Sequence, residues 1–306
     1  MPLNSTRGAG SAKGFGLTSA IKLAAWVAAP AVSGLSYNSY IPAGGESSAI
    51  ATGGFIGPAN ATTAQAAKFN GTSWSSIPNM PYDTFQHGVS GDGSDAIAYG
   101  GAVRPPEGLQ TAAAEWNGTS WSGGGTTSMT SRVLSCRNGT GSSDNLTAGG
   151  NPSGGGGNST TDCMKYNGSA WSSSPAYPNS FRSGGLSGSS SSAIAFGGDN
   201  ASGGYYSNSF TFNGSAWSSV PNMNVARTIG NGFGPTTNCM AVGGYDGASD
   251  VTTVENYNGT SWATVTSIPT AGTYNTAADS SKGSFTTGGA YLITGGLTNP
   301  TYFWKR

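Results

Sequence analysis

The chain has 306 residues, of which only 8% are charged, and its 13 Lys and Arg balance its 13 Asp and Glu. This balance leaves no global field that would attract nucleic acid or an anionic membrane, so neither is expected as a partner. Aromatic residues make up 10% of the chain. Disordered chains are normally poor in aromatics and carry a high net charge, so we expect a folded protein.

Residues 1–18 are rich in Gly, Ser and Ala and lie outside the repeat that fills the rest of the chain. We interpret them as an extended anchor peptide that becomes ordered when it docks on another protein, with Arg7, Lys13 and Phe15 as its contact residues. A disordered leader is the alternative.

Residues 20–32 are the most apolar stretch, but they contain Lys22 and Pro30 and fall short of the ~18–20 apolar residues that a membrane span needs. Trp26 lies 27 residues before the first Gly-Gly pair, and five later tryptophans lie 26 to 28 residues before the next pair. The spacing predicts a strand over 21–28, and it favours that strand over a cleaved signal peptide.

A six-residue phrase, aromatic-Asn-Gly-(Ser/Thr)-(Ser/Ala)-Trp, recurs five times at intervals of 45 to 50 residues, a period typical of stacked repeat units. Its copies are Phe69–Trp74, Trp116–Trp121, Tyr166–Trp171, Phe212–Trp217 and Tyr257–Trp262. Each copy follows a Gly-Gly pair that ends an apolar run, such as Ala193–Gly198. Asn-Gly is the strongest short hairpin signal and predicts a type I′ turn with positive φ at both residues. A proline beyond four of the tryptophans suits an outer edge strand.

These features predict units of four short strands, read as the blades of a propeller with the glycine-rich strands innermost. A sixth Gly-Gly pair, Gly288 and Gly289, is present. Trp304 follows Gly289 by 15 residues, which is the spacing of the third-strand aromatic in the other units. The sixth unit therefore lacks a fourth strand with its own tryptophan. We therefore predict six blades, in which residues 21–28 pair with Thr301–Lys305 to complete the blade of residues 268–306. That pairing would close the ring and remove exposed sheet edges.

The paired glycines, the aromatic about 15 residues on and the tryptophan five beyond it resemble the kelch motif over roughly residues 20–306. The resemblance implies an all-β, six-bladed kelch-like β-propeller over residues 19–306. Kelch propellers serve as adhesins, scaffolds and oxidases, so the resemblance implies architecture rather than activity. The leader together with the Asn-Gly-(Thr/Ser)-x-Trp repeats is similar to structural and tail-associated proteins of marine bacteriophages.

Catalytic chemistry finds little support in the residue types. His87 is the only histidine, so a metal site built on several imidazoles is impossible and a Ser-His-Asp relay has one possible base. We expect His87 to be a blade-surface or channel residue. Cys136, Cys163 and Cys239 are too few and too scattered for a disulfide framework, and we expect them to be small buried hydrophobes. We predict no enzyme, no cofactor and no metal site.

Variation between the units concentrates in the loops between second and third strands, which share one face with the segments joining successive blades. Variable loops on a constant scaffold are typical of a recognition surface. The candidate contact residues on this face are Arg104, Arg132, Arg182, Arg227, Tyr205, Tyr206, Tyr245 and Asp246.

The leading hypothesis is a non-enzymatic virion structural or host-recognition protein, such as a tail fibre, decoration or receptor-binding component. Its partners would be other virion proteins, bound through the leader, and a host-surface glycan or receptor. The alternative is a secreted, extracellular bacterial carbohydrate-binding adhesin or lectin, and a glycan-acting enzyme is third.

Overall fold

The structure is a computed structural model, and it describes residues 25–28, 41–44, 47–56, 59, 61–127, 136–139, 141–152, 158–200, 202–229, 231–269, 290–294 and 301–305. These residues form short antiparallel strands joined by turns and loops. Among them, no helix is long and apolar enough to cross a membrane.

Five four-stranded sheets, which we call blades 1 to 5, follow one another along the chain. After β1 (Ala25–Ala28), blade 1 and its loop hairpin comprise β2 (Ile41–Gly44), β3 (Ala49–Thr52), β4 (Phe55–Ile56), β5 (Ala61–Thr62), β6 (Ala66–Phe69) and β7 (Trp74–Ile77). Blade 2 and its loop hairpin comprise β8 (Gly88–Gly91), β9 (Ala96–Tyr99), β10 (Ala102–Val103), β11 (Gly108–Leu109), β12 (Ala112–Trp116) and β13 (Trp121–Thr126).

The remaining three blades have four strands each. Blade 3 comprises β14 (Cys136–Gly139), β15 (Asn145–Ala148), β16 (Cys163–Tyr166) and β17 (Trp171–Ser174). Blade 4 comprises β18 (Gly185–Gly188), β19 (Ala193–Phe196), β20 (Ser209–Phe212) and β21 (Trp217–Val220). Blade 5 comprises β22 (Asn231–Phe233), β23 (Cys239–Val242), β24 (Val254–Tyr257) and β25 (Trp262–Val265).

The first strands of successive blades contact one another, so β2, β8, β14, β18 and β22 lie innermost, as the glycine-rich sequence predicts. The fourth strands are outermost, and the two serines after the tryptophan in β7, β17 and β21 are exposed. The prediction of four strands per unit, in this order, is confirmed for these five units.

The hydrophobic core lies between blades, and the second strands show why. In β9 the small Ala96 and Ala98 pack towards blade 1, whereas Ile97 and Tyr99 pack towards blade 3. Because side chains alternate across a strand, an Ala-Ile-Ala-aromatic run gives each sheet one small face and one large face. β19 repeats the pattern with Ala193 and Ala195 towards blade 3 and Phe196 towards blade 5. Blades 2 and 4 therefore each present a small face to the preceding blade and a large face to the following one.

The predicted aromatic-Asn-Gly hairpins are confirmed in all five blades, but the predicted turn type is wrong. In blade 1 the turn spans four residues, and of its Asn-Gly pair only Gly71 has a positive φ, +92°. Asn70 Oδ1 instead accepts the backbone N–H groups of Thr72 and Ser73, both at 2.9 Å. The asparagine is present because its side chain satisfies two turn donors, as an N-cap residue does.

The Gly-Gly pairs join neighbouring blades through the blade linkers, the segments between the fourth strand of one blade and the first strand of the next. The N–H of the second glycine donates to a linker carbonyl, as from Gly54 to Thr84 (2.9 Å), Gly150 to Phe181 (2.8 Å) and Gly198 to Arg227 (2.8 Å). Both glycines of each described pair have positive φ, which only glycine adopts without strain. The pair therefore lets the strand end turn tightly against the next blade.

The fourth-strand tryptophans also link blades. Trp121 Nε1 donates to the Pro78 carbonyl of blade 1 at 2.8 Å, and Trp217 Nε1 donates to the Pro175 carbonyl of blade 3 at 3.0 Å. In blade 2 a glycine, Gly125, occupies the place of this proline, and the pairing of β12 with β13 shifts register. Within the described residues, the buried Nε1 of Trp171 in blade 3 consequently has no hydrogen-bond partner.

This difference predicts unequal costs for the same substitution. Trp217→Phe should lower the free energy of unfolding by about 1 kcal/mol more than Trp171→Phe, because only Trp217 loses a hydrogen bond. Chemical denaturation of both single variants beside the native chain measures the difference. Equal costs, or a greater cost at Trp171, would contradict the role assigned to the indole N–H.

The terminal segments form a separate three-stranded sheet. Its strands are β26 (Ala290–Thr294) and β27 (Thr301–Lys305), and β1 pairs with β27 so that Trp26 lies opposite Trp304. The predicted pairing of the two terminal segments is therefore present. The predicted count of six four-stranded blades is wrong, because the described chain has five and this sheet has three strands.

The sequence around Ala290 explains part of that difference. In the spacing of the repeat, residues 290–292 fall in the loop between the second and third strands of the sixth unit, but the run Ala-Tyr-Leu-Ile-Thr is rich in β-prone residues and forms β26 against β27. The run predicted to form the second strand of the sixth unit, Phe285–Gly289, lies outside the described residues. So does the leader, residues 1–18.

Candidate binding site on the loop face

The loop face is the side of the propeller where second-to-third loops meet blade linkers. In blade 4 the backbones of Arg182 and Asp199 exchange two hydrogen bonds of 3.0 Å. In blade 5 the N–H of Thr228 donates to the Tyr245 carbonyl at 2.9 Å, and the N–H of Tyr245 donates to Thr228 Oγ1 at 3.0 Å. At these points the predicted meeting of loops and linkers on one face is confirmed.

The opposite side, the turn face, is uniform by comparison. The turns between first and second strands contact each other in blade order: Ser48 with Gly93, Asp95 with Ser142, Asp144 with Ser190 and Ser192 with Thr236. The polar groups of these turns therefore form hydrogen bonds between neighbouring blades. The residues that differ most between blades therefore lie on the loop face.

The blade 4 loop owes its shape to Asn200. Its Oδ1 accepts the N–H groups of Ser202 (3.0 Å) and Gly204 (2.9 Å), and its own N–H donates to the Gly204 carbonyl. A side-chain acceptor that captures nearby backbone donors is the usual device by which asparagine stabilises a turn. Tyr205 follows directly and forms a β-bridge with Asp199, so the loop holds its tyrosine beside the linker.

Arg182 and Asp199 form an ion pair under this loop. Arg182 Nε lies 3.1 Å from both carboxylate oxygens, and its second terminal nitrogen, Nη2, lies 3.1 Å from Oδ2. Their side chains are 20% and 10% exposed, so water partly reaches the pair. Forked hydrogen bonds of this kind fix orientation as well as charge.

Tyr205 and Tyr245 bring the loops of blades 4 and 5 together. Their rings lie 5.8 Å apart at 63°, an edge-to-face arrangement that aromatic rings favour. Tyr245 Oη donates to the Gly247 carbonyl at 3.1 Å. Asp246 Oδ1 accepts the N–H groups of Ala248 (2.9 Å) and Ser249 (2.8 Å). We call Arg182, Asp199, Tyr205, Tyr245 and Asp246 the tyrosine cluster.

The ionisation of the cluster follows from its surroundings. Desolvation, with the nearby Tyr245 and Asp199, raises the pKa of Tyr205, so its phenol keeps its proton at neutral pH. The N–H groups of Ser249 and Ala248 lower the pKa of Asp246, which stays ionised. The cluster therefore presents the Tyr205 phenol and the ionised Asp246 carboxylate beside the Arg182–Asp199 ion pair.

Four of the eight predicted contact residues, Arg182, Tyr205, Tyr245 and Asp246, thus come together. Tyr206 is half-buried and packs against the core between blades 3 and 4. Arg104 lies elsewhere, in the blade 2 loop, where it pairs with Glu107 (3.2 Å) and its guanidinium lies 5.7 and 5.4 Å from the ring centres of Phe55 and Phe85. Arg132 lies outside the described residues, as do the anchor residues Arg7, Lys13 and Phe15.

The prediction that Arg227 contributes to the loop face is wrong. Its side chain is fully buried and pairs with the fully buried Glu255 at 2.5 Å. Arg227 also donates to the carbonyls of Gly243 (3.0 Å) and Val225 (3.1 Å), and Glu255 accepts the N–H of Asn224 at 2.6 Å. Burial lowers the pKa of Arg227, and the Glu255 carboxylate opposes that shift.

The repeat contains a signal for this pair. Arg227 occupies the linker position of Phe181 and Thr84, because all three carbonyls accept a second-glycine N–H and all three side chains are buried. Glu255 stands two residues before the third-strand aromatic, where other units have Ala67, Ala114, Met164 and Phe210. Two charged residues of opposite sign at core positions of one unit predict a buried ion pair. Asp199 could also have been found, since it directly follows a Gly-Gly pair and faces the linker.

The remaining sequence candidates are structural. His87 is buried rather than on a surface or channel wall, and its Nε2 lies 2.9 Å from Thr52 Oγ1. Cys163 and Cys239 are buried as predicted, and desolvation raises the pKa of Cys163 to about 12. The side chain of Cys136 is outside the described set. Among the described residues, His, Cys, Asp and Glu form no group that could hold a metal ion.

Comparison with solved structures agrees with the described architecture. The structure described as "Structure of YjhT" is similar, with a TM-score of 0.61 at 15% identity, covering 76% of this chain and 84% of that one. The fold is a five-bladed β-propeller. In all, 186 solved chains are similar. No family model matches the sequence, and no curated protein matches it. At this identity the likeness shows the fold of the propeller and no activity.

Proposed function

We propose that this propeller is a non-enzymatic recognition component of a virion, in which the loop face contacts a host-surface glycan or receptor. The observation that carries the proposal is the tyrosine cluster, built from the loops of two blades on a repeated scaffold. Its Tyr205 and Tyr245 rings are partly exposed, and paired loop aromatics beside polar groups are typical of contact surfaces.

The virion location is supported by the leader and by the likeness of the repeats to tail-associated phage proteins. In this proposal Arg7, Lys13 and Phe15 anchor the leader to another virion protein. The kelch-like spacing of the units belongs to the same proposal. So does closure of the ring, with the sheet of β1, β26 and β27 seated between blades 5 and 1.

A secreted bacterial adhesin is the second candidate, and the same tyrosine cluster favours it. It differs in location, because an adhesin acts outside the cell without a particle. Sedimentation of the full chain with purified particles supports the virion role. Free protein in the medium, with none on particles, supports the adhesin.

Two truncations test the anchor and the closure separately. Deletion of residues 1–18 should abolish incorporation into particles with an unchanged melting temperature. Deletion of residues 1–28 also removes β1 and should lower the melting temperature by several degrees, because β27 loses a paired strand and gains a bare edge. Particles are purified by density gradient and probed for the chain, and each variant is melted by circular dichroism.

Normal incorporation of the first truncation would refute the anchor. Identical melting of the two truncations would refute the stabilising role of β1.

A further inference from the structure

In the described part of the chain, the tyrosine cluster and the adjacent Asn200, which shapes the blade 4 loop, have polar groups without a protein partner. Within the described residues, Arg182 Nη1, Tyr205 Oη and Asn200 Nδ2 make no hydrogen bond to protein. All three residues are partly exposed. The cluster and Asn200 together therefore offer guanidinium, phenol and amide donors beside two aromatic rings.

Donors beside aromatic rings match the chemistry of a sugar. A pyranose has C–H groups on one face, which pack on an aromatic ring, and hydroxyls around its edge, which hydrogen-bond to polar side chains. Tyr205 and Tyr245 supply ring surface from two blades. Arg182, Tyr205 and Asn200 supply donors for hydroxyl oxygens.

The charges of the cluster select among sugars. Asp199 neutralises Arg182 through three contacts of 3.1 Å, and Asp246 adds an ionised carboxylate on the neighbouring blade. The sum over these three side chains is one negative charge. An acidic sugar brings a carboxylate against that charge, whereas a neutral sugar does not.

We propose that the tyrosine cluster is a subsite for a neutral saccharide and that Asp246 disfavours acidic sugars there. The inference rests on the proposed recognition role and names its ligand class. Asp246 is the specificity residue, since its capping bonds hold its carboxylate beside Tyr245. Tyr205 is the contact residue.

The first test is a glycan array probed with the full chain. The array carries neutral hexose and N-acetylhexosamine oligosaccharides beside uronic-acid and sialylated ones. We expect binding to neutral glycans, and the strongest neutral probe is then titrated by calorimetry. Tyr205→Ala should weaken its affinity about tenfold, the loss expected for a stacking ring. Ser173→Ala, on the exposed outer strand of blade 3, is the control and should leave affinity unchanged.

The second test addresses selectivity. Asp246→Asn keeps a side-chain oxygen that caps Ala248 and Ser249 but removes the charge, so the loop is retained. Asp246→Asn should lower the ratio of the affinity for neutral glycans to that for acidic glycans several-fold. The melting temperatures of Tyr205→Ala and Asp246→Asn should stay close to that of the native chain, because both side chains are partly exposed and Asp246→Asn keeps the cap.

Three results would overturn the subsite: stronger binding of acidic glycans, unchanged affinity in Tyr205→Ala, or no binding to any glycan. Particle association is a separate readout. Incorporation without glycan binding would remove the subsite and keep the virion role, whereas glycan binding without incorporation would do the reverse.

Discussion

Arg227→Phe is expected to lower the free energy of unfolding by about 3–5 kcal/mol, because it leaves the Glu255 carboxylate buried without its partner. The pair is fully enclosed, and its remaining hydrogen bonds go to backbone groups of blade 5 and of the linker before it. Urea denaturation at neutral pH, followed by tryptophan fluorescence, measures the loss.

The matched control replaces both partners. Arg227→Phe combined with Glu255→Met gives blade 5 the residue types of Phe181 and Met164 at the matching positions, and both of those are buried. Replacing a whole buried ion pair by apolar residues is often neutral, so the double variant should recover most of the loss. A double variant as unstable as the single one would show that the cost is steric rather than electrostatic.

Gly149→Ala is the second large effect, with an expected loss of about 2–5 kcal/mol. Gly149 has φ +71°, where an alanine costs about 1–2 kcal/mol. A Cβ there would also lie 2.5 Å from the Phe181 carbonyl oxygen and 2.6 Å from its ring, which adds an overpacking cost of about 1–3 kcal/mol.

Gly203→Ala separates the cost of backbone strain from the cost of overpacking. Gly203 has φ +89°, but a Cβ there has nothing within 4 Å, so this variant carries backbone strain alone. It should lose about 1–2 kcal/mol. If both variants lose the same amount in thermal and urea unfolding, the Gly-Gly pair would be required for backbone conformation and not for the close approach of the next blade.

The sequence predicts most of the scaffold because each unit has the same key residues at the same spacing. The Gly-Gly pair, the third-strand aromatic and the tryptophan each appear at constant spacing, so strand order and hairpins follow from one unit. The pairing of Trp26 with Trp304 follows from the same spacing applied to the two ends.

Individual departures from the repeat are harder to predict. The sixth unit is the weakest copy, and an apolar run after Gly289 forms a strand where a loop was expected. The position of Arg227 near the start of an innermost strand predicts a place on the loop face, whereas its burial depends on a partner 28 residues away. The tyrosine cluster depends on how far two loops lean towards each other, and strand spacing contains no information on that distance.

The second strands, with one small face and one large face, affect how blades of this propeller can be duplicated. In blades 2 and 4 the second strand has alanines on one face and bulky residues on the other, so a unit with this pattern can follow another that keeps the same polarity. A duplicated copy thus inherits a ready-made contact with its predecessor and offers one to its successor. Duplication of a whole blade of this pattern therefore needs no further substitution at the joint. Gain or loss of half a blade would instead place two bulky faces against each other.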